Sequence, residues 1–193
     1  MRIKDEEKQQ ALFEATIKMV NEIGFVKSSV AKIAAEAKVS PATLYIYHKN
    51  KVDLLVSTYL QIKKSLSIEA LKGFQSDMDV YEGLKLIWKN LFHYFSKHTD
   101  YFQFTEQFSN CPYAKLINRE EVDSYFSPVF ELIQYGIDQK LIKNVDFEIL
   151  HCFLVAPILH LANPTICNNF TVNNENVDIA FDLAWDAISY RNN

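Results

Sequence analysis

Glycine is scarce, at 4 residues in a chain of 193. Doubly wound sheets, P-loop enzymes and β-sandwiches draw on glycine for turns and phosphate cradles, so the shortage disfavours all three. Cysteine is scarcer: Cys111, Cys152 and Cys167 are odd in number and lack CxxC spacing, which excludes a disulfide framework or a zinc site from the reading. No long apolar run occurs, and the opening MRIKDEEKQQALFEA carries acids without an apolar stretch. Neither a membrane span nor an export signal is therefore expected, and a cytoplasmic location fits. GxSxG, a Cys–His pairing and a phosphate loop are all missing, so no catalytic role and no cofactor or metal is expected.

What is present is an ordinary globular composition, 49% hydrophobic and 23% charged, with length for one large domain or two small ones. The net charge of −4 hides an asymmetry. Residues 1–51 hold 9 Lys+Arg against 6 Asp+Glu, whereas residues 52–193 hold 11 against 18. Such a division suggests a polyanion-binding head on a differently employed body, although a lysine-rich solvated face has the same signature.

The helical period recurs along the chain and no stretch alternates long enough to read as a strand, so an all-α fold of about nine helices is expected. The first helix runs from Asp5 to Ile23, with Gly24 as a left-handed cap, and the second, capped by Ser28 or Ser29, from Val30 to Ala37. Ser40-Pro41 is the strongest start signal: serine supplies a cap oxygen, and proline at the first helical position gives up an amide that has no partner there. The third helix spans Pro41 to Tyr47. Asn50 and Asp53 then open a fourth, to Gly73. A fifth is expected from Asp79 to Lys97 and a short sixth from Asp100. The seventh, from Asn118 to Lys140, should be kinked at Pro128, and the eighth runs from Asp146 to Ala162. After an asparagine-rich loop the ninth occupies Asn174 to Tyr190.

Two short helices joined by a tight turn, the second opening on small residues and flanked by lysines, meet the needs of a helix-turn-helix. Ala42 and Thr43 let a backbone approach base edges, and Tyr45, Tyr47, His48, Lys49 and Lys51 concentrate phosphate-binding groups beside them. The run from Ser29 to Leu55 resembles the DNA-binding signature of TetR/AcrR transcriptional regulators, matching at Ser29, Ile33, Ala34, Ala37, Val39, Ser40, Tyr45, Tyr47, Lys51 and Leu54. The resemblance implies a three-helix helix-turn-helix head over 1–65, with the motif at about 29–48, and a helical effector-binding and dimerisation body over 66–193. It implies phosphate contacts from Ser29, Tyr47 and Lys51 and base contacts from Ala42, Thr43 and Tyr45, with Lys38, Ser40, His48 and Lys49 as further DNA candidates. Tyr45 has packing inward as its alternative. Lys38 stands where the family usually has glycine, so a left-handed backbone there carries about 1 kcal/mol of strain. His48 replaces a usual phenylalanine, and either packs under the head or faces the phosphates.

Aromatics are concentrated in the body: of 26 in the chain, 13 lie between 81 and 130. The family resemblance makes this region the wall of an effector cavity, with Trp88, Phe92, Phe95, Phe104, Tyr125 and Phe130 as lining residues and His93 and Gln107 as polar anchors. A bulky helical core is the alternative. With no arginine or lysine cluster facing these rings, a neutral or cationic apolar small molecule is the expected effector. The last two helices are apolar on more than one face, and in the resembling family they pair in a homodimer, which would set two heads on a palindromic duplex. The expected action is repression, relieved by the effector. Two rivals remain: a di-metal helical-bundle enzyme, for which Glu148 and His151 supply one ExxH pair of the two required, and a DNA-binding dimer without effector.

Overall fold

The computed structural model describes residues 2–190, excepting the side chains of 2–4. Among the described residues the chain is helical, with ten α-helices and one short 3₁₀ turn. It divides into two compact units, residues 1–63 with 100–119, and residues 64–99 with 120–193. The first unit thus takes in a segment, 100–119, that sequence reading assigns to the body.

In the first unit α1 covers Arg2–Lys27, α2 Val30–Glu36 and α3 Pro41–Tyr47; α4, Lys51–Ala70, contributes its first part, and α6 covers Thr99–Ser109. Gly24 interrupts α1 with φ 75° and ψ 166°, a conformation glycine alone adopts without strain. Ser28, buried behind this break, donates to the carbonyls of Gly24 and Met19, which leaves the cap of α2 to Ser29. Beneath α2 and α3 lies an apolar cluster of Leu12, Ala15, Ile33, Ala37, Leu44 and Leu54. A second cluster joins Phe13, Ile17 and Val20 of α1, Leu55 and Ile62 of α4, and Phe104 and Phe108 of α6. The 3₁₀ turn Pro112–Leu116 lies at its edge, where Tyr113 and Ala114 pack against it.

The second unit holds α5 Val80–Lys97, α7 Arg119–Ser124 (its first residue excepted), α8 Ser127–Asp138, α9 Phe147–Leu161 and α10 Asn174–Ile188. Side-chain caps define three of these starts: Asp79 accepts from the amides of Tyr81 and Glu82, Asp146 from Glu148, and Asn173 from Asn176. The single helix expected over 118–140 is instead two. Pro128 takes the first turn of α8, where its lost amide costs nothing, and so starts a helix where a kink was expected. Pro157, by contrast, lies inside α9 without ending it. Trp88, Phe92, Leu150, Leu154, Ile158 and Phe181 centre the core, and the indole of Trp88 donates to the Leu154 carbonyl at 2.7 Å. Lys85 and Lys89 of α5 reach Asp178 of α10 at 3.4 and 2.9 Å. No helix among the described residues is long and apolar enough to cross a membrane.

Candidate nucleic-acid interface

The geometry of the head begins with the turn between α2 and α3. Lys38 donates its amide to the Ala35 carbonyl at 3.1 Å, and Val39 to Ala34 at 2.9 Å. This pair of bonds closes a Schellman motif, which demands a left-handed residue at 38, and Lys38 has φ 56°. The expected strain is therefore present, and the turn that aims α3 rests on it. Ser40 caps α3: its hydroxyl accepts from the Thr43 amide at 3.1 Å and meets the Thr43 hydroxyl at 2.9 Å.

Leu44 fills the core while Ala42, Tyr45, Ile46 and Lys49 point to solvent. Ala42, Tyr45 and Ile46 follow i, i+3, i+4 spacing, a single outward stripe of α3, and Lys49 lies past the helix end, beyond the extended His48. Tyr45 is 55% exposed and so is not the inward-packed ring of the alternative reading. Ile46, 76% exposed, was not singled out from sequence, although its spacing from Ala42 and Tyr45 is the signal that finds it. A stripe of methyl, ring and aliphatic groups with a lysine beyond its end suits thymine methyls and base edges, with phosphate at its margin.

The residues expected on phosphates divide into two sets. Ser29 and Lys49 are exposed, as is Lys38 at the turn. Tyr47, His48 and Lys51 are engaged within the head. Tyr47 donates its hydroxyl to Asp5 at 2.9 Å, and burial followed by this bond raises its pKa above the usual phenol value. The Lys51 ammonium donates to the Phe25 carbonyl, tying the start of α4 to the end of α1, and burial holds it below the ordinary lysine range. His48 packs inward as the phenylalanine it replaces would. Its Nδ1 lies 3.2 Å from the Ser57 hydroxyl and 3.5 Å from Asp53, and burial pulls it below an imidazole's ordinary 6.5 despite the opposing pull of Asp53. Asp53 in turn accepts from the Lys49 amide at 3.1 Å, while its own amide donates to Asn50 at 2.9 Å.

The candidate effector residues do not converge on one place. Trp88 and Phe92 are fully packed in the core of the second unit, with Phe95 against it. His93 lines a polar cleft of about 440 Å³ in that unit, together with Ser65, Lys72, Tyr94 and His98. Tyr125 donates to Glu121, and Phe130 meets Phe147 edge to face at 5.2 Å. Phe104 and Gln107 belong to the first unit, where Phe104 stacks on Phe108 and Gln107 donates to Asn21. Two lysines do stand over rings of these clusters, Lys63 over Tyr59 and Lys85 over Tyr81, each at 5.4 Å. Neither ring is one of the six expected lining residues, and Lys85 is paired with Asp178 and Asp182. Both ammoniums come from four residues along the same helix as the ring they cover, a placement that scanning for charge clusters does not register. Glu148 and His151 do not build a metal site: among the described residues no group of three or more His, Cys, Asp or Glu side chains could hold an ion.

Comparison with known proteins accords with this geometry. Residues 12–58 match the family described as bacterial regulatory proteins, tetR family, and residues 81–189 match the Tetracyclin repressor-like, C-terminal domain. A TetR family transcription regulator of Marinobacter aquaeolei, known from its crystal structure, is 34% identical, with 99% of this chain and 100% of that one superposed at a TM-score of 0.88. An uncharacterized HTH-type transcriptional regulator of Haemophilus influenzae is 22% identical over 179 residues, 93% of this chain and 94% of its own. The regulator FadR of Bacillus subtilis, crystallised with stearoyl-CoA, has the same fold at a TM-score of 0.70 and 18% identity, over 93% of this chain and 97% of its own. With the C-terminal match covering more than half of its length and the head matched separately, this chain belongs to the TetR family of transcriptional regulators.

Proposed function

We propose that this DNA-binding regulator is a cytoplasmic homodimeric repressor that holds a palindromic operator with two copies of the α3 stripe and leaves it when a small molecule binds. The observation that carries the reading is that stripe: Ala42, Tyr45 and Ile46 stand clear of the head's core on a helix whose start is fixed by Ser40 and Pro41, with the exposed Lys49 just past its end. Ala42, Thr43 and Tyr45 contact bases; Ser29, Lys38, Ser40 and Lys49 contact phosphates or lie within their reach, and Tyr47, His48 and Lys51 hold the frame and meet the backbone only if they exchange their present partners. Residues 1–65 carry the DNA work and 66–193 the response and dimerisation.

The dimer reading rests on α9 and α10. Ile149, Cys152, Phe153 and Ala156 form an exposed strip on α9, and Ile179 and Leu183 one on α10. Apolar strips of this kind on two helices are what an isologous bundle would cover. A FadR relative holds stearoyl-CoA, which favours a ligand with a long apolar part here as well. An effector that prefers the conformation unfit for DNA by about 3 kcal/mol weakens operator binding roughly 150-fold, and DNA weakens the effector equally. The experiment is a binding selection from random duplexes with the purified protein. A palindromic consensus with half-sites about one helical turn apart supports the reading, and enrichment of single, unpaired sites or of none contradicts it.

A further inference from the structure

We propose that the polar cleft between the end of α4 and the second half of α5 is a binding site for a phosphate group. The site does not depend on the effector reading above. The cleft has room, at about 440 Å³, and lies wholly within the second unit. Its walls are tied to each other by side chains that line it. The Asn90 amide nitrogen of α5 donates to the carbonyls of Ala70 and Lys72 at 3.1 and 2.9 Å, and the Tyr94 phenol donates to the Ser65 hydroxyl at 3.3 Å. The His98 ring lies against Tyr94 with centroids 4.7 Å apart. The spacing of the walls is thus set before a ligand arrives.

Charge points to an anion. The second unit carries 8 Lys+Arg against 15 Asp+Glu, yet Lys72, Lys97, His93 and His98 meet at this cleft with Glu69 as its one carboxylate. Glu69 is paired with Lys72 at 3.4 Å, which leaves Lys97 and the imidazoles to an incoming negative charge. The lining also offers acceptors, and these decide the kind of anion. A backbone carbonyl only accepts, so the 2.6 Å contact of His93 Nδ1 with the Lys89 carbonyl places the ring proton on Nδ1 and leaves Nε2 a lone pair. Asn90 gives its amide hydrogens to two carbonyls, leaving Oδ1 to accept. A matching ligand has oxygens for the ammoniums and a hydroxyl for Nε2 or Oδ1. Carboxylates and sulfate have lost their protons at neutral pH, whereas a phosphate group, whose second proton leaves at about pH 6 or above, offers both.

The test follows the ring signals of the 5 histidines by NMR in the full-length protein without DNA, as inorganic phosphate, glycerol 3-phosphate or sulfate is added at constant ionic strength and pH 6.5. His93 and His98 are assigned by the signals lost in His93→Phe and His98→Gln. Phosphate is expected to shift these two saturably while the other three stay in place, and to bind at least about tenfold more tightly than sulfate, which leaves the acceptors unpaired. Lys97→Gln is expected to weaken phosphate at least about fivefold, unmoved signals from the other three histidines showing that the fold is intact. His93→Phe, read at His98, should bring phosphate down to the level of sulfate. Tighter binding of glycerol 3-phosphate than of inorganic phosphate assigns the site to a phosphate ester, and the reverse to the free ion. No saturable shift at either ring, equal shifts at all the histidines, sulfate binding as tightly as phosphate, or an affinity unchanged by Lys97→Gln each overturns the proposal.

Discussion

Lys49 and Lys51 are two residues apart yet do different work. Lys51 secures the end of α1 through the Phe25 carbonyl, whereas Lys49 has its side chain in solvent. Lys51→Ala is expected to lower the stability of the protein by about 1–2 kcal/mol, as removal of a charged hydrogen bond does, read from its urea midpoint. Lys49→Ala should leave stability within about 0.5 kcal/mol and reduce the slope of log affinity against log salt by roughly 1, equally for all duplexes. His48 supplies a pH dependence. Because burial favours the neutral ring, its folded value lies below 6.5, so the stabilisation is full above 6.5 and is lost as pH falls through the lower folded value. Urea midpoints measured downward from neutral pH should decline over that range, and His48→Phe should flatten the decline.

At the scale of the element, the turn between α2 and α3 was legible from sequence because its signals are local. Ser29, Ser40 and Pro41 define caps through oxygens and a ring within three residues, and both helices start where those caps imply. The strain at Lys38 was raised only through the family resemblance, which has glycine there, and only on condition of a left-handed backbone, which φ 56° supplies. Lys38→Gly relieves it and is expected to stabilise the protein by about 1 kcal/mol or slightly less, since glycine gives back some of the gain as chain entropy; an unchanged or lowered urea midpoint would count against the Schellman geometry. The body was less legible. Helical spacing marks Trp88 and Phe92 as inward-facing but does not say whether they face a cavity or, as found, the side chains of α9 and α10. Residues 118–140 read as one helix because a proline in a first turn and a proline in a kink look alike until the break at Phe126 is seen.

For the whole molecule, the basic head and acidic body seen in the sequence match separate family models, but where the two packing units divide was not readable. Residues 100–119 pack with the head through Phe104 and Phe108, and no local signal marks a segment that joins the core of an earlier domain. Dimerisation belongs to this scale. Leu183 is 67% exposed on α10, so Leu183→Glu should spare the fold, yet it would bury an unpaired charge in the expected interface. Sedimentation should then show a monomer where the wild type is a dimer, with dimer affinity reduced at least about 100-fold. A dimer that persists in this variant places the interface elsewhere.

The central claim is that the outward stripe of α3 reads base edges. It is tested most directly by repeating the selection from random duplexes with Tyr45→Ala and Ala42→Ser beside the wild type. Because base contacts specify and phosphate contacts only position, each variant should change the preferred base at one or two positions, mirrored in the two half-sites. The same consensus from all three proteins, with binding merely weaker, would contradict the assignment of that stripe to the bases.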